Sequence, residues 1–400
     1  WFPFQEETRG CRMKDHSFNA FNAGLPGIRR WGLLALLVFS LPGAASAGAS
    51  RGWFRPAGTV TIAEEPLAGA AGDFNGDGAT DLAVALGTSH RVAILLGDGK
   101  GGFTPGARVS VARRPISLLS GDLTGDGVAD LVVASLFGNR VTLLRGAGGG
   151  AFTEAAVFPV TAAPRALVRL TSPSPVTFRV AWVNIRGEVV VSDGFEGEGM
   201  HREAGDLPTD LAVGDFDGDG REDLAVTSFN DGALRLFLAA GDGSFAPPRR
   251  FEAGRRPVAV CPGDFDGDGH LDAVVADTGS NFEGFDGALL LFAGQGDGTF
   301  SPPIEILRGG VFLALACGDL DGDRIDDLVA ATHPTEALTR TDLLLFSGGR
   351  GGALSPLQRL RSGDETRAIL ITEFTGDGRP DLVGFNAVSN TLSLFRNRLR

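Results

Sequence analysis

The sequence predicts an all-β chain: a seven-bladed β-propeller of four-stranded blades, closed by an N-terminal strand that completes the last blade. Three observations predict it. A nine-residue acidic phrase recurs along the chain. Between its copies run short segments of β-type alternation, broken by Gly-rich turns and without a helical period. The two ends of the repeating region carry complementary parts of one unit.

The phrase is clearest at 215–223, Asp-Phe-Asp-Gly-Asp-Gly-Arg-Glu-Asp, with carboxylates at positions 1, 3, 5 and 9. A hard divalent cation takes about six to eight oxygen ligands, and a carbonyl at position 7 can add to the side chains. Glycines at 4 and 6 let the backbone fold back on itself. Calcium is the expected ion. The ligand sets with four carboxylates are Asp215, Asp217, Asp219 and Asp223; Asp264, Asp266, Asp268 and Asp272; and Asp319, Asp321, Asp323 and Asp327. Three further sets are weaker: Asp73, Asn75, Asp77 and Asp81; Asp122, Thr124, Asp126 and Asp130; and Glu373, Thr375, Asp377 and Asp381, which should be weakest. Up to six ions are expected. The loops are not EF-hands, which need a bidentate Glu at position 12 between helices; here position 12 is Val84, Val133, Val226, Val275, Ala330 or Gly384. Position 9 is expected to do that work.

First-ligand positions are separated by 49, 93, 49, 55 and 54 residues, so the long gap hides a copy. Pro66, Pro115, Pro208 and Pro257 each stand seven residues before a loop, and Pro164 therefore predicts one at Thr171, where Thr-Ser-Pro-Ser-Pro has no carboxylate. The third of seven units has lost its metal loop. In the fourth unit strands are expected at 210–214, 224–227, 233–238 and 245–251. Four short strands per unit, repeated seven times, make a propeller. The last unit ends at Phe395 after its third strand. Gly52-Trp53-Phe54-Arg55-Pro56 matches the fourth-strand phrase Gly243-Ser244-Phe245-Ala246-Pro247. Residues 53–62 should pair with 391–395 and leave no unfinished blade edge.

Residues 1–47 are expected to be a signal peptide with an N-terminal extension, and 48–400 the propeller. Arg29 and Arg30, the apolar run 31–41 and Ala45-Ser46-Ala47 give the basic, apolar and small-residue order of a leader cleaved after Ala47. The run is too short to span a bilayer, so a secreted, periplasmic or cell-surface protein without a membrane span is expected. The formal charge of −13 argues against nucleic acid as a partner; much of it lies in the loops. Cys261 and Cys317 stand three and two residues before their loops. That offset points them to opposite faces of equivalent strands, and both are expected as small buried hydrophobes rather than as a disulfide.

The cadence Asp-Phe-Asn-Gly-Asp-Gly-x-x-Asp-Leu, with a following hairpin through Gly-Asp-Gly and Phe, resembles the FG-GAP or VCBS-like repeats of integrin alpha-chain propellers and of many secreted bacterial proteins. The resemblance covers 52–400 and implies a calcium-loop propeller with a ligand-binding role. Gly97-Asp98-Gly99-Lys100-Gly101-Gly102 fits a dinucleotide-type glycine pattern, but Phe-Thr-Pro follows where a helix should begin. His90, His201, His270 and His333 show no ligand spacing, and no catalytic constellation is visible.

If the metal loops join first to second strands, the second-to-third turns and the blade connections lie on the opposite face. There the fifth and sixth units carry insertions, around Phe282 and Phe285 and around His333, with Arg255 and Arg256 nearby. Exposed aromatics beside arginines suit a binding surface. The leading expectation is a non-enzymatic binding or adhesion module for a protein or glycan. The alternatives are a carbohydrate-active lyase or hydrolase on the same ring, or a structural envelope component.

Overall fold

A computed structural model describes residues 52–160, 162–171, 178–194, 199–280, 286–333, 341–352 and 354–399. It shows seven four-stranded antiparallel sheets. The inner strands are Pro66–Gly72, Pro115–Gly121, Pro164–Leu170, Pro208–Gly214, Pro257–Gly263, Phe312–Gly318 and Thr366–Thr372. Each contacts the next, and the last contacts the first, so the ring is closed about a central axis. The expected leader, 1–47, lies outside the described residues.

Blade four shows how a unit is built. Pro208–Gly214, Asp223–Ser228, Ala233–Phe237 and Arg249–Glu252 pair in sequence order. The second strand is buried on both faces, with Leu224, Ala225 and Val226 at 0% exposure, because each blade is covered by a neighbour on either side. The fourth strand is shorter than the expected 245–251. Pro247 and Pro248 have no N–H to donate, so only an isolated bridge, Ala239 to Phe245, holds its start. The core is divided among the gaps between blades. Phe216, Ala225, Leu234 and Leu236 of blade four pack with Val260, Ala273, Val275 and Phe292 of blade five, and equivalent clusters fill the other gaps.

Closure follows the expectation. Phe54–Thr61 is the fourth strand of blade seven, with Phe54 opposite Asn397 and Thr61 opposite Thr391. Phe54 is buried with Phe395 and with residues of blade six.

The cysteines overturn the expectation. Cys261 and Cys317 form a disulfide, with Cα atoms 6.1 Å apart, between the inner strands of blades five and six. Their offset does turn them to opposite faces of equivalent strands. In a ring, however, adjacent blades stack face to face, so opposite faces of neighbouring inner strands look at each other. The bond closes a loop with a sequence separation of 56, for which chain entropy gives roughly 4 kcal/mol. Replacing both cysteines with serine should lower the thermal midpoint by several degrees, and reduction of the unaltered protein should reproduce the loss.

Candidate metal loops and the opposite face

Each acidic loop is shaped by its own N–H groups. In the first loop Asp73 Oδ1 accepts Gly76 N–H at 2.7 Å and Asp77 N–H at 3.1 Å, and Oδ2 accepts Gly78 N–H at 2.9 Å. Asp122, Asp264 and, in part, Asp215 and Asp319 repeat the arrangement. Gly76 and Gly78 have φ of 82° and 83°, a backbone that favours glycine. The loop backbone itself thus gathers the carboxylates.

Position 9 is the anchor. Asp223 is wholly buried; its Oδ2 accepts Phe216 N–H at 2.9 Å and its Oδ1 accepts Ala239 N–H at 2.7 Å. It ties the start of the metal loop to the turn between third and fourth strands. Asp81, Asp130, Asp272 and Asp327 do the same, and Asp381 ties its loop to Asn397 at the end of the third strand of blade seven. Burial pushes Asp223 and Asp272 up to about 6 and Asp327 up to about 7, and neighbouring loop carboxylates add to the rise.

The loops also clip blade to blade. The position-2 side chain, such as Phe216 or Phe265, enters the gap to the following blade. Its carbonyl accepts an N–H from that blade: Gly298 to Phe216 at 3.0 Å, Gly349 to Phe265 at 3.1 Å. Position 8 reaches the preceding blade, as Asp326 does by accepting Asp264 N–H at 2.9 Å.

The donor set fits a hard cation in three loops. Carboxylate oxygens of Asp215, Asp217 and Asp223 lie within 4.8 Å of one another, as do those of Asp264, Asp266 and Asp272 and of Asp319, Asp321 and Asp327. All three sets are oxygen only, and unlike a soft site they offer neither sulfur nor imidazole. Asp266 and Asp321 are also raised, first by desolvation and then by their acidic neighbours. Such a cradle is crowded with negative charge that a divalent ion would neutralise. In the first loop Asn75 supplies the position-3 oxygen, which here accepts Asp77 N–H at 2.8 Å.

The other units differ. Arg145 Nε and Nη2 donate to Asp126 Oδ2 at 3.0 and 2.7 Å, and Arg396 Nη2 donates to Asp377 Oδ2 at 3.0 Å. Blade three has Arg179 opening its second strand, Arg179–Asn184, at the place where the others have the position-9 Asp. Arg179 pairs with Asp193 at 2.9 Å, donates to the Gly243 carbonyl of blade four and lies over the Phe245 ring at 5.7 Å.

The opposite face carries the second-to-third turns and the connections between blades. Arg256 lies over Phe229 with 5.5 Å to the ring centre, and Arg255 approaches Asp286 at 3.7 Å. Phe282 and Phe285 lie outside the described residues. His333 donates its backbone N–H at 2.8 Å to the carbonyl of Val311, just before the inner strand Phe312–Gly318. Sequence reasoning missed Phe137, Ile185 and Val388, exposed by 60%, 42% and 60% in the turns of blades two, three and seven. Arg114 sits over Phe137 at 5.9 Å and forks onto both carboxylate oxygens of Glu65 in blade one. The missed signal was register: each apolar residue occupies the turn after a second strand that is buried along all or nearly all of its length, where a soluble turn ordinarily carries Gly, Asn or Asp.

Residues 73–133 and 205–275 match the FG-GAP-like repeat family. The seven-bladed β-propeller thus carries FG-GAP-like repeats over these two stretches. No curated protein matches it. Among solved structures it is similar to BBS1N in complex with ARL6DN, at 13% identity over 87% of this chain and 98% of that one, with a TM-score of 0.63 for a mercury-soaked crystal and 0.64 for a lead-soaked one. It is also similar to Saccharomyces cerevisiae Sqt1, at 11% identity over 81% and 83% of the two chains with a TM-score of 0.56. At these identities the likeness is one of fold. Among the described residues no helix is long and apolar enough to cross a membrane.

One loop of this FG-GAP propeller departs from its pattern. In the sixth unit position 6 is Arg324, held at φ 69°, where Gly78, Gly127, Gly220, Gly269 and Gly378 stand in the other loops. A left-handed non-glycine residue costs about 1–2 kcal/mol, and glycine gives part of that back through unfolded-state entropy. Arg324→Gly should therefore raise stability by up to about 1 kcal/mol, read as a later denaturation midpoint with an unchanged slope.

Proposed function

We propose that this FG-GAP propeller is a non-enzymatic, calcium-stabilised binding module that works outside the cytoplasm and captures a protein ligand on the face opposite its metal loops. One observation carries the proposal: the polar, ion-shaped loops occupy one face, while exposed Phe137, Ile185 and Val388 share the other with Arg113, Arg114, Arg255 and Arg256. Apolar residues rimmed by arginines are the composition of a protein interface. That BBS1N, of similar fold, is held in a complex with ARL6DN supports a protein partner. The all-oxygen donor sets support calcium. The basic-apolar-small leader and the Cys261–Cys317 disulfide support an oxidising compartment.

Protein and glycan arrays probed with and without Ca²⁺ would identify the ligand class. Phe137→Ala combined with Arg255→Ala and Arg256→Ala should lower capture at least tenfold with a nearly unchanged melt, since exposed turn residues carry little of the core. Capture only on the glycan array would replace the protein ligand with a glycan; undiminished capture by the variant would place the site elsewhere.

A further inference from the structure

The second, third and seventh units, which have neither a carboxylate nor an amide at position 3, each set an arginine against the acidic loop or in its stead. In the second and seventh loops position 3 is Thr124 or Thr375, and in both an arginine pairs with the position-5 Asp. Both arginines stand one residue before the N–H that reaches the position-9 carboxylate, from Gly146 to Asp130 and from Asn397 to Asp381, each at 2.8 Å. At that place the four remaining loop-bearing blades have Leu96, Leu238, Ala293 and Ser347. In the third unit, which has no acidic loop, Arg179 takes the position-9 place and binds the next blade directly.

From this coincidence we infer that Arg145, Arg396 and Arg179 are built-in replacements for the cation, so that the propeller takes four metal ions, in its first, fourth, fifth and sixth units, rather than six. The inference rests on the calcium assignment for those four loops. Losing the position-3 carboxylate removes one ligand and one negative charge, and a tethered guanidinium on position 5 takes up a second. A divalent ion entering there would meet fewer oxygens and a fixed positive charge. Pairing alone is not the criterion. Arg221 also meets Asp219, at 2.5 Å, but the fourth loop keeps Asp217, and its oxygens from positions 1, 3 and 9 still converge.

Calcium titration of the chelator-stripped full chain, with ions counted by calorimetry and native mass spectrometry, should reach four; six would overturn the inference. Thr124→Asp with Arg145→Leu should take a fifth ion, and a count unchanged at four would also overturn it. Binding of no calcium at all would refute the calcium assignment instead. The arginines are then judged in EDTA alone: Arg145→Leu with Arg396→Leu should lower the midpoint by roughly 2 °C, with partial rescue by lysine at both places. An unchanged midpoint there sinks the replacement.

Discussion

EDTA should lower the thermal midpoint of the propeller by roughly 10 °C or more, and excess Ca²⁺ should restore it. Ion binding to the folded state alone stabilises by about 2.7 kcal/mol per site at a hundredfold excess over the dissociation constant, and several loops act on one ring. The loss should be cooperative, because each loop also holds its neighbours through position 2 and position 8. The pH dependence reverses sign between the two conditions. Without metal, Asp223 and Asp272 are raised to about 6 and Asp327 to about 7, above their ordinary value of 3.8. The folded chain then binds more protons than the unfolded one, and stability falls as pH rises from about 4 through 7. With calcium bound, the ionised carboxylates are the favoured form, so stability is full at neutral pH and is lost as pH falls. Melts across pH 4–8 with EDTA and with Ca²⁺ should therefore slope in opposite directions. Parallel profiles, or an EDTA midpoint equal to the calcium one, would refute a metal role in the fold.

Deleting residues 52–62 has the second large effect: loss of cooperative folding or aggregation. The strand Phe54–Thr61 covers Thr391–Asn397, whose edge would otherwise be left open. It also carries Phe54, which is buried against blade six and whose N–H and carbonyl meet the Gln358 side chain at 3.0 and 2.7 Å. Amide exchange at Leu392 and Leu394, whose N–H groups face the closing strand, should be slow in the intact protein and fast after the deletion. Rapid exchange at both in the intact chain would show that the ring does not close this way.

The ring was legible in the sequence because its parts are local and repeated. The acidic phrase fixed the loops, Pro164 located the unit without one, and the Phe-x-Pro phrase supplied the closing register. What escaped depends on contacts between units. The disulfide needs the face-to-face stacking of adjacent blades, which no single repeat reveals. The burial of the position-9 carboxylates, accepting N–H groups from two directions, depends on backbone 16 to 22 residues further along the chain. The arginine pairings were visible as residues but had no meaning until the third strand was aligned with the loop beneath it. Proline chemistry, by contrast, could have shortened the fourth strand in advance.

The closing strand also determines how the molecule bears load. Phe54 lies opposite Asn397 in antiparallel register, and Arg398 N–H meets the Trp53 carbonyl at 2.7 Å. The two ends of the ring therefore leave it side by side at one corner of blade seven. A pull on both ends opens this pair from that corner, one hydrogen-bonded step after another, whereas strands drawn along their length must release every bond at once. The weakest mechanical point of the propeller is thus its seam, and the other six blades feel the force only after the seam has parted.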